Sequence, residues 1–331
     1  MAEPVLEVNN LQISFFSDKG GIPVVNGVNF LINEGEILGV VGESGCGKSM
    51  TALSIMGLIQ SPGKIVEGEI RFNGNDLTKF TEKELRQIRG NEIGMIFQEP
   101  MTSLNPLFTI GDQIMEAIRI HYKWNKSQIR TRAIEILDSV GLARPEALLK
   151  VYPHQLSGGM RQRVMIAMAM VCNPKLLIAD EPTTALDVTI QAQILDLMKQ
   201  LNKNNKTAVM MITHDLGVVA EVCSRVIVMY AGKIVEEGDV QSIFKNPKHP
   251  YTIGLINSVP DIRSKADRLF SIPGNVPKPG SVKQGCPFAA RCQFAFERCL
   301  TETPTLQDIE NGHKASCFLH GNVTKEKEAP I

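Results

Sequence analysis

The chain has 331 residues, and 35 lysines and arginines balance 35 aspartates and glutamates, so that the formal net charge is zero. This balance excludes a strong overall field that would attract nucleic acid or an anionic membrane. A composition that is 43% hydrophobic and 21% charged is typical of a globular protein and excludes intrinsic disorder for most of the chain.

The same sequence bounds the cellular location. The longest apolar stretch, residues 164–172, is far shorter than the roughly 20 residues that span a bilayer. The first ten residues, MAEPVLEVNN, lack the basic and apolar segments of a secretion signal. We therefore expect a cytosolic, reducing location, in which the seven cysteines are thiols or metal ligands rather than disulfides.

The first sixty residues predict strands, a glycine-rich turn and a helix. Leu11, Ile13 and Phe15 alternate with polar residues, as in a half-buried strand. Residues 36–41 are almost wholly apolar, as in a strand that is covered on both faces.

The middle of the chain changes from helical periodicity to alternating strands and helices. Two helical faces are predicted, one with Ile114, Ala117, Ile118 and His121 and the other with Ala133, Ile134, Ile136, Leu137 and Val140. Buried strands are then predicted at residues 176–179, 208–213 and 225–230. Such alternation indicates crossover connections and a largely parallel sheet.

The last part of the chain has a different composition. Eight prolines between residues 247 and 304 interrupt any long regular element, and four of the seven cysteines lie between residues 286 and 317. We predict a larger domain over residues 1–250 and a small cysteine-rich domain over residues 251–331.

A phosphate-binding pattern lies at the end of the first buried strand. Residues 42–49, GESGCGKS, match G-x-x-x-x-G-K-[ST] between a predicted strand and a predicted helix. Glycines let backbone N–H groups turn inward around phosphates, and the helix N-terminus adds positive potential. Lys48 is expected to reach the β- and γ-phosphates, and the Ser49 hydroxyl to bind Mg²⁺. The residues that we expect to contact a nucleotide here are Gly42, Ser44, Gly45, Cys46, Gly47, Lys48, Ser49 and Met50.

Two alternatives accompany this pattern. The whole motif can be a glycine-rich turn with an accidental Lys-Ser pair. Cys46, inside the loop, is either a small filler with its thiol turned aside or a regulatory thiol.

A second apolar strand, residues 176–181, ends in two acids. Asp180 is expected in the Mg²⁺ shell, and Glu181 is expected to orient or deprotonate the attacking water. A strand that ends in Asp-Glu is a weak signal alone, but together with the phosphate loop it indicates a nucleoside triphosphatase.

The segments between these motifs narrow the class. Residues 156–162, LSGGMRQ, precede a helical run and resemble the signature motif of ABC ATPases. The family's Q-loop, D-loop and switch histidine are matched by Gln98, by Ala185-Leu186-Asp187 and by His214. The resemblance implies a P-loop ABC ATPase, an α/β protein with a mostly parallel sheet, flanking helices and N-terminal antiparallel strands. It also implies a helical insert at about residues 99–160.

The resemblance implies an obligatory partner. Ser157, Gly158 and Gly159 offer a second helix N-terminus with a hydroxyl donor. In the family two ATPase subunits pair head to tail, and each signature caps the γ-phosphate bound by the other, with Asp187 also at the nucleotide. ATP binding closes the pair and hydrolysis releases it. The alternative is that Ser157 only caps its own helix.

Three further residues receive roles from the same resemblance. Gln98 and His214 join Glu181 as catalytic residues, and Gln98 also enters the Mg²⁺ shell. Phe15 matches the residue that stacks on adenine, with Phe16 as a possible replacement; the alternative is a core phenylalanine. His214 ends a strand parallel to that of Asp180, and ligands meet the carboxyl ends of such strands. A structural histidine is the alternative interpretation.

The resemblance narrows further to one branch. Residues 97–106, FQEPMTSLNP, resemble the Q-loop segment of oligopeptide and dipeptide importer ATPases. His249-Pro250-Tyr251-Thr252, followed by Leu255 and Pro260, resembles the start of their C-terminal region. This implies a D-type subunit on the cytoplasmic face of the membrane, with the Q-loop and helical insert forming the groove for a permease. The implied partners are a related F-type ATPase (or a second copy in isolation), two permeases and an extracytoplasmic peptide-binding protein, with no nucleic acid. Close relatives carry nickel or other small solutes, so the solute stays open.

The four clustered cysteines, Cys286, Cys292, Cys299 and Cys317, lack the tight C-x(2–4)-C pair with which structural zinc sites usually begin. Cys292 and Cys299 would lie about 10 Å apart on a shared helix face, which suits a cluster better than one zinc ion. D-type relatives are described as carrying a four-iron cluster on such cysteines. We therefore expect a [4Fe–4S] cluster, with zinc or free thiols as alternatives.

Two rival functions are weighed against an importer subunit. A soluble ABC ATPase that acts on DNA or ribosomes usually has two cassettes or a long coiled coil, whereas this sequence has one cassette and no heptads. The second rival is a P-loop kinase, and a kinase function would leave the LSGGMRQ motif, Glu181 and His214 unexplained.

Overall fold

The computed structural model describes residues 3–18, 20–98, 103–184, 186–259 and 270–320. Several residues named above lie outside this part of the chain, namely Glu99, Pro100, Met101, Thr102, Ala185 and Pro260. The described chain forms two compact units. The first unit consists of the described residues in the ranges 1–6, 32–37 and 72–212. The second unit consists of the described residues in the ranges 7–31, 38–71 and 213–331.

The regular elements alternate along the chain as an α/β protein requires. The strands are β1 (Leu6–Ser17), β2 (Gly20–Ile32), β3 (Ile37–Val41), β4 (Gly63–Phe72), β5 (Asn75–Asp76), β6 (Ile93–Ile96), β7 (Leu176–Asp180), β8 (Ala208–Ile212), β9 (Arg225–Tyr230), β10 (Lys233–Asp239), β11 (Gln307–Glu310) and β12 (His313–Ala315). The helices are α1 (Lys48–Ile55), α2 (Glu82–Ile88), α3 (Ile110–His121), α4 (Lys126–Ser139), α5 (Pro145–Leu148), α6 (Gly158–Met170), α7 (Val188–Asn205), α8 (Leu216–Val222), α9 (Val240–Lys245), α10 (Pro250–Asn257) and α11 (Glu297–Thr301).

The first unit is built on three parallel strands in the order β8–β7–β6. Ile178 of β7 lies opposite Met95 on one side and Met210 on the other. Every residue of β7 and β8 is buried, as expected for strands that helices cover on both faces. The predicted buried strands and their parallel pairing are therefore confirmed here.

Polar residues define where the helices of the first unit begin. Thr81, Thr109 and Asn125 each accept a hydrogen bond from the N–H three residues on, and the side chain at that position bonds back. These capping boxes satisfy donors that the first helical turn leaves unpaired. The two helical faces predicted from the sequence lie on the buried and half-buried faces of α3 and α4.

The second unit contains a mixed sheet in the order β11–β12–β10–β9–β3, in which only the β3–β9 pair is parallel. Glu236 of β10 lies opposite Ala315 of β12, so the C-terminal hairpin continues this sheet. Strands β2, β1 and β4 are neighbours in that order elsewhere in the unit. In β1, Leu11 and Ile13 are buried and Phe15 is half-buried, as predicted.

An aromatic core joins the end of the mixed sheet to the C-terminal segment. Tyr230, Tyr251 and Phe288 are fully or almost fully buried, with ring centroids between 4.6 and 5.4 Å apart.

In the part of the chain that the structure describes, no helix is long and apolar enough to cross a membrane. The predicted domain boundary at residue 250 stays a prediction.

Candidate functional site

The loop between β3 and α1 is shaped by glycines. Gly42, Gly45 and Gly47 have φ values of 149°, 79° and 103°, in the region that side chains disfavour. A Cβ on Gly42 would lie 2.2 Å from the carbonyl oxygen of Met229, so only glycine fits there. Gly47 is the N-cap of α1, and no side chain caps this helix. The N–H groups of its first turn therefore remain as donors for an anion.

Lys48 lies over this loop. Its side chain is buried, and Nζ donates to the carbonyl oxygens of Gly42 at 2.7 Å and Glu43 at 3.0 Å. Ser44, Gly45 and Ser49 are exposed beside it, and Met50 is half-buried. Backbone donors at a helix N-terminus, an ammonium group and the Ser49 hydroxyl form a set that fits the phosphates of a nucleotide and its Mg²⁺.

Cys46 is the buried member of the loop. Its Sγ lies 3.6 Å from Lys48 Nζ, and burial raises the pKa of the thiol. A protonated, enclosed thiol is a poor nucleophile. These contacts agree with a filling role for Cys46.

Glu181 is held in a fixed position directly after β7. Its backbone has a φ of 50°, which is uncommon for a residue with a side chain and costs about 1–2 kcal/mol. Its N–H donates to the carbonyl oxygen of Ile212 at 2.9 Å. Its Oε2 accepts hydrogen bonds from Gln98 Nε2 at 3.1 Å and from Thr184 Oγ1 at 2.9 Å. The structure thus brings together Gln98 and Glu181, and it adds Thr184, which no sequence motif had singled out.

Asp180 precedes Glu181 as the last residue of β7 and is buried opposite Ile212 of β8. Adjacent residues of a strand point to opposite faces, whereas the left-handed φ of Glu181 turns the chain out of the strand. The two carboxylates therefore occupy different environments at the carboxyl end of one parallel strand.

The signature segment begins helix α6. Ser157 is its N-cap, and Ser157 Oγ accepts a hydrogen bond from the Met160 N–H at 3.3 Å. Ser157 and Gly158 are exposed, and Gly159 is half-buried. The buried Gln162 donates from Nε2 to the carbonyl oxygen of Pro182, which ties α6 to the segment that follows Glu181. Gln162 is the last residue of LSGGMRQ, and nothing in that motif predicted this contact.

Asp187, His214 and Phe15 occupy ordinary structural settings. Asp187 caps α7 by accepting from the Ile190 N–H at 3.0 Å. His214 is exposed and directly follows Thr213, whose N–H donates to the Val40 carbonyl oxygen at 3.2 Å. Phe15 is half-buried, and its roles and those of Asp187 and His214 stay predictions.

Phe16 differs from Phe15 in its surroundings. Phe16 is exposed, with Lys64 Nζ 6.0 Å from its ring centroid. Phe15 faces Gly63, where a Cβ would lie 2.9 Å from Phe15 Cζ. The choice between the two as the adenine-stacking residue stays open.

The predicted metal centre is not borne out. Across the described residues, no group of three or more His, Cys, Asp or Glu side chains is placed to hold a metal ion. The [4Fe–4S] cluster expected on Cys286, Cys292, Cys299 and Cys317, and its zinc alternative, are therefore wrong for this structure. All four cysteines are free thiols.

The surroundings of these thiols give the physical reason. The four cysteines do line one cavity, but its volume is about 20 Å³, which is room for about one water molecule. Burial in these apolar surroundings also raises the pKa of Cys286 to about 11 and that of Cys317 to about 12. Cys292 ends a 3₁₀ turn whereas Cys299 lies in α11, so the shared helix assumed from their spacing is also wrong.

The chain matches two family models. Residues 25–184 match the model described as ABC transporter, and residues 235–299 match the model described as Oligopeptide/dipeptide transporter, C-terminal region. The chain is 56% identical to the oligopeptide transport ATP-binding protein AppD of Bacillus subtilis, over 96% of this chain and 97% of that protein. It is 50% identical to the dipeptide transport ATP-binding protein DppD of Escherichia coli, over 95% of this chain and 96% of that protein.

The chain belongs to the ATP-binding proteins of oligopeptide and dipeptide ABC transporters.

Solved structures agree with this family. The dimeric ATP-binding cassette MJ0796 bound to ADP and Pi is similar at a TM-score of 0.64 and 31% identity, over 71% of this chain and 98% of that one. CbiO1 of Clostridium perfringens, described as part of the ABC transporter complex cbiONQ, also gives a TM-score of 0.64, at 28% identity over 74% of this chain and 92% of that one. The predicted P-loop α/β fold is confirmed. As an ABC transporter ATP-binding protein, the chain is an ATPase that binds ATP and Mg²⁺.

Proposed function

We propose that this ATPase powers the import of dipeptides or oligopeptides through membrane permeases that receive cargo from a peptide-binding protein. The transport of such peptides is what the names of the full-length relatives state. The C-terminal match to the oligopeptide/dipeptide region supports the same cargo.

The proposed mechanism of ATP hydrolysis rests on one observation, the fixed position of the Glu181 carboxylate. In our proposal Glu181 accepts a proton from the attacking water, and Gln98 and Thr184 hold its Oε2 in position for this task. Lys48 and the N–H groups of the phosphate loop bind the β- and γ-phosphates. His214 donates to the γ-phosphate, and Phe15 or Phe16 stacks on the adenine ring.

The magnesium ligands are assigned from the chemistry of the donors. Ser49, Asp180 and Gln98 supply the hydroxyl, carboxylate and amide oxygens that Mg²⁺ accepts. When bound, Mg²⁺ neutralises charge that develops on the phosphates during hydrolysis.

We assign Ser157, Gly158, Gly159 and Asp187 to a second subunit's nucleotide. The exposure of Ser157 and Gly158 supports this assignment, because a surface helix N-terminus is open to a partner's γ-phosphate. The Ser157 hydroxyl accepts from its own helix, and its proton remains free to be donated. In this proposal the partner is a related F-type ATPase.

We assign the permease contact to the helical insert. Leu107 is 80% exposed and Phe108 is 53% exposed in the segment that leads into α3. Exposed apolar side chains of this size are typical of surfaces that another protein covers. We further propose that residues 251–331 act as a C-terminal domain, without a metal centre.

The experiment is ATP hydrolysis by the complex reconstituted with its permeases and binding protein in lipid vesicles. We expect dipeptides or oligopeptides to stimulate ATP hydrolysis. We also expect them to accumulate on the side of the membrane opposite the binding protein. Glu181→Gln is expected to retain ATP binding, to lower turnover by about 10²-fold or more, and to accumulate ATP-bound dimers.

Glu34→Gln, at an exposed position between β2 and β3 and outside the helical insert, is the matched control and should leave turnover unchanged. Near-normal turnover by Glu181→Gln would contradict its assigned role. Stimulation by a different solute but not by peptides would contradict the proposed cargo.

A further inference from the structure

The phosphate loop has a contact that its motif does not explain. Glu43, the second residue of the loop, forms a bidentate ion pair with Arg291 from the C-terminal segment. Arg291 Nη1 lies 2.7 Å from Glu43 Oε2, and Nη2 lies 3.1 Å from Oε1. The Arg291 side chain is only 5% exposed. Two parallel bonds of this kind fix geometry as well as charge.

Arg291 is itself held from several sides. Its Nε donates to the carbonyl oxygen of Pro273 at 2.9 Å, and Nη2 also donates to that of Ile272 at 3.3 Å. Nη1 reaches Tyr230 Oη at 3.4 Å, and the guanidinium lies 5.9 Å from the ring centroid of Phe288. The guanidinium therefore has a defined place before any nucleotide arrives.

The backbone of Glu43 is held by the same part of the chain. Its N–H donates to Tyr251 Oη at 2.8 Å, and Tyr251 is fully buried. Its carbonyl oxygen accepts from Lys48 Nζ. The N–H, the carbonyl oxygen and the side chain of one loop residue are thus all bonded, and the partners of two of these three groups lie beyond position 250.

Charge gives this arrangement a consequence for ATP. The triphosphate is strongly anionic, and a free carboxylate in the loop would repel it. The Arg291 guanidinium balances the Glu43 charge and draws the side chain toward the C-terminal segment. A loop that already has its binding shape also loses less conformational freedom when ATP binds.

We propose that Arg291 is a positioning residue for ATP binding: through Glu43 it holds the phosphate loop in shape and neutralises the carboxylate next to the triphosphate. The proposal rests on the assignment of residues 42–49 to phosphate binding. It makes the C-terminal segment a part of the nucleotide site rather than only an appended region.

The test compares ATP binding and hydrolysis by the full-length chain and its variants. Arg291→Gln should raise both the Kd and the KM for ATP about tenfold, within the range of typical coupling between sites, while kcat at saturating ATP stays within about twofold. Arg291→Lys keeps the charge but loses the paired bonds, and it should fall between the wild type and Arg291→Gln.

The decisive variant is the double substitution. Because Arg291 acts through the Glu43 charge, adding Glu43→Gln to Arg291→Gln removes the unpaired carboxylate and should recover part of the lost affinity. A purely structural contact would instead lower the unfolding temperature of both variants with no change in Kd. That result, or a double variant with no recovery, would overturn the proposal.

The matched control is Arg298→Gln in the same segment. Arg298 pairs with Glu302 at 2.9 Å and lies 4.2 Å from the ring centroid of Phe318, away from the loop contact. We expect its Kd for ATP to equal that of the wild type. If Arg291→Gln does not fold, Arg291→Lys with and without Glu43→Gln supplies the same comparison. Failure of the wild type to bind ATP would refute the phosphate-loop assignment itself and is therefore a distinct outcome.

Discussion

The phosphate loop and the four-cysteine segment present their polar atoms in opposite ways. In the loop, residues 42–49, the donors are largely backbone N–H groups at the start of α1, next to exposed Ser44 and Ser49. In the cysteine segment, residues 286–317, the polar atoms are side-chain thiols that face an apolar cavity. The first arrangement is open to an anion, and the second encloses little more than a water molecule.

This difference teaches which kinds of site a short pattern can define. A backbone site needs a few contiguous residues with unusual φ values, and glycines at fixed offsets supply them. A side-chain cluster needs the right enclosure, which comes from residues far away in the sequence. His249 and Pro250 line the cysteine cavity, and both lie well before Cys286 in the sequence.

The largest effect is expected from breaking the backbone of the loop. Gly42→Ala places a Cβ 2.2 Å from a carbonyl oxygen at a φ of 149°, and neither neighbouring backbone can yield cheaply. We expect a loss of about 3 kcal/mol or more in the free energy of unfolding, together with loss of ATP binding. Denaturant unfolding and ATP titration measure the two effects.

Gly74→Ala is the matched control for this substitution. Gly74 has a φ of 79°, but a Cβ there meets nothing within 4 Å, so only backbone strain of about 1–2 kcal/mol is expected. Equal unfolding midpoints for the two variants would show that the close approach at Gly42 is unimportant.

The next effect isolates the loop's side-chain donor. Lys48→Ala removes the ammonium group and leaves the glycine backbone in place. Because hydrogen bonds to charged groups are worth about 1.5–3 kcal/mol, ATP affinity should fall roughly 10- to 100-fold. Equilibrium titration with ATP measures this change, and Lys79→Ala, at an exposed position, should leave affinity unaltered. An unaltered affinity for Lys48→Ala would mean that the backbone alone binds the phosphates.

The same contrast explains how much could be predicted. The buried strands, the parallel pairing and the positions of Lys48, Gln98 and Glu181 follow from contiguous patterns, and the structure places Gln98 against Glu181 as one would expect of partners. The left-handed φ of Glu181 has no sequence signal, because tertiary packing over-determines it.

The cysteine segment could not be predicted in the same way. Seven-residue spacing predicted one helix face for Cys292 and Cys299, but Cys292 ends a 3₁₀ turn and α11 begins only at Glu297. Arg291 was likewise invisible, since nothing in the residues around it indicates that it reaches a loop 248 positions earlier. Such contacts depend on the fold as a whole.

The smallest effect concerns the buried histidine that lines the cysteine cavity. His249 is the N-cap of α10, and its Nδ1 accepts the Tyr251 N–H at 3.0 Å. Burial lowers the pKa of His249 from 6.5 to about 3, and the nearby His320 adds to this shift. The folded state therefore keeps this ring neutral where the unfolded chain protonates it.

The sign of the pH dependence follows from this difference. Between pH 6.5 and about 3 the unfolded state binds one more proton at this position than the folded state, so stability is present above pH 6.5 and is lost as the pH falls. One proton corresponds to about 1.4 kcal/mol per pH unit.

His249→Asn keeps an acceptor for the Tyr251 N–H but cannot titrate. The free energy of unfolding, measured from pH 7 to pH 4, should therefore fall less steeply in His249→Asn by about one proton, whereas His154→Asn at an exposed position should keep the wild-type slope. An unchanged slope in His249→Asn would mean that His249 takes up a proton equally well in the folded and the unfolded state. The cavity would then be open to water, and the contrast between an open loop and a closed cavity would be wrong.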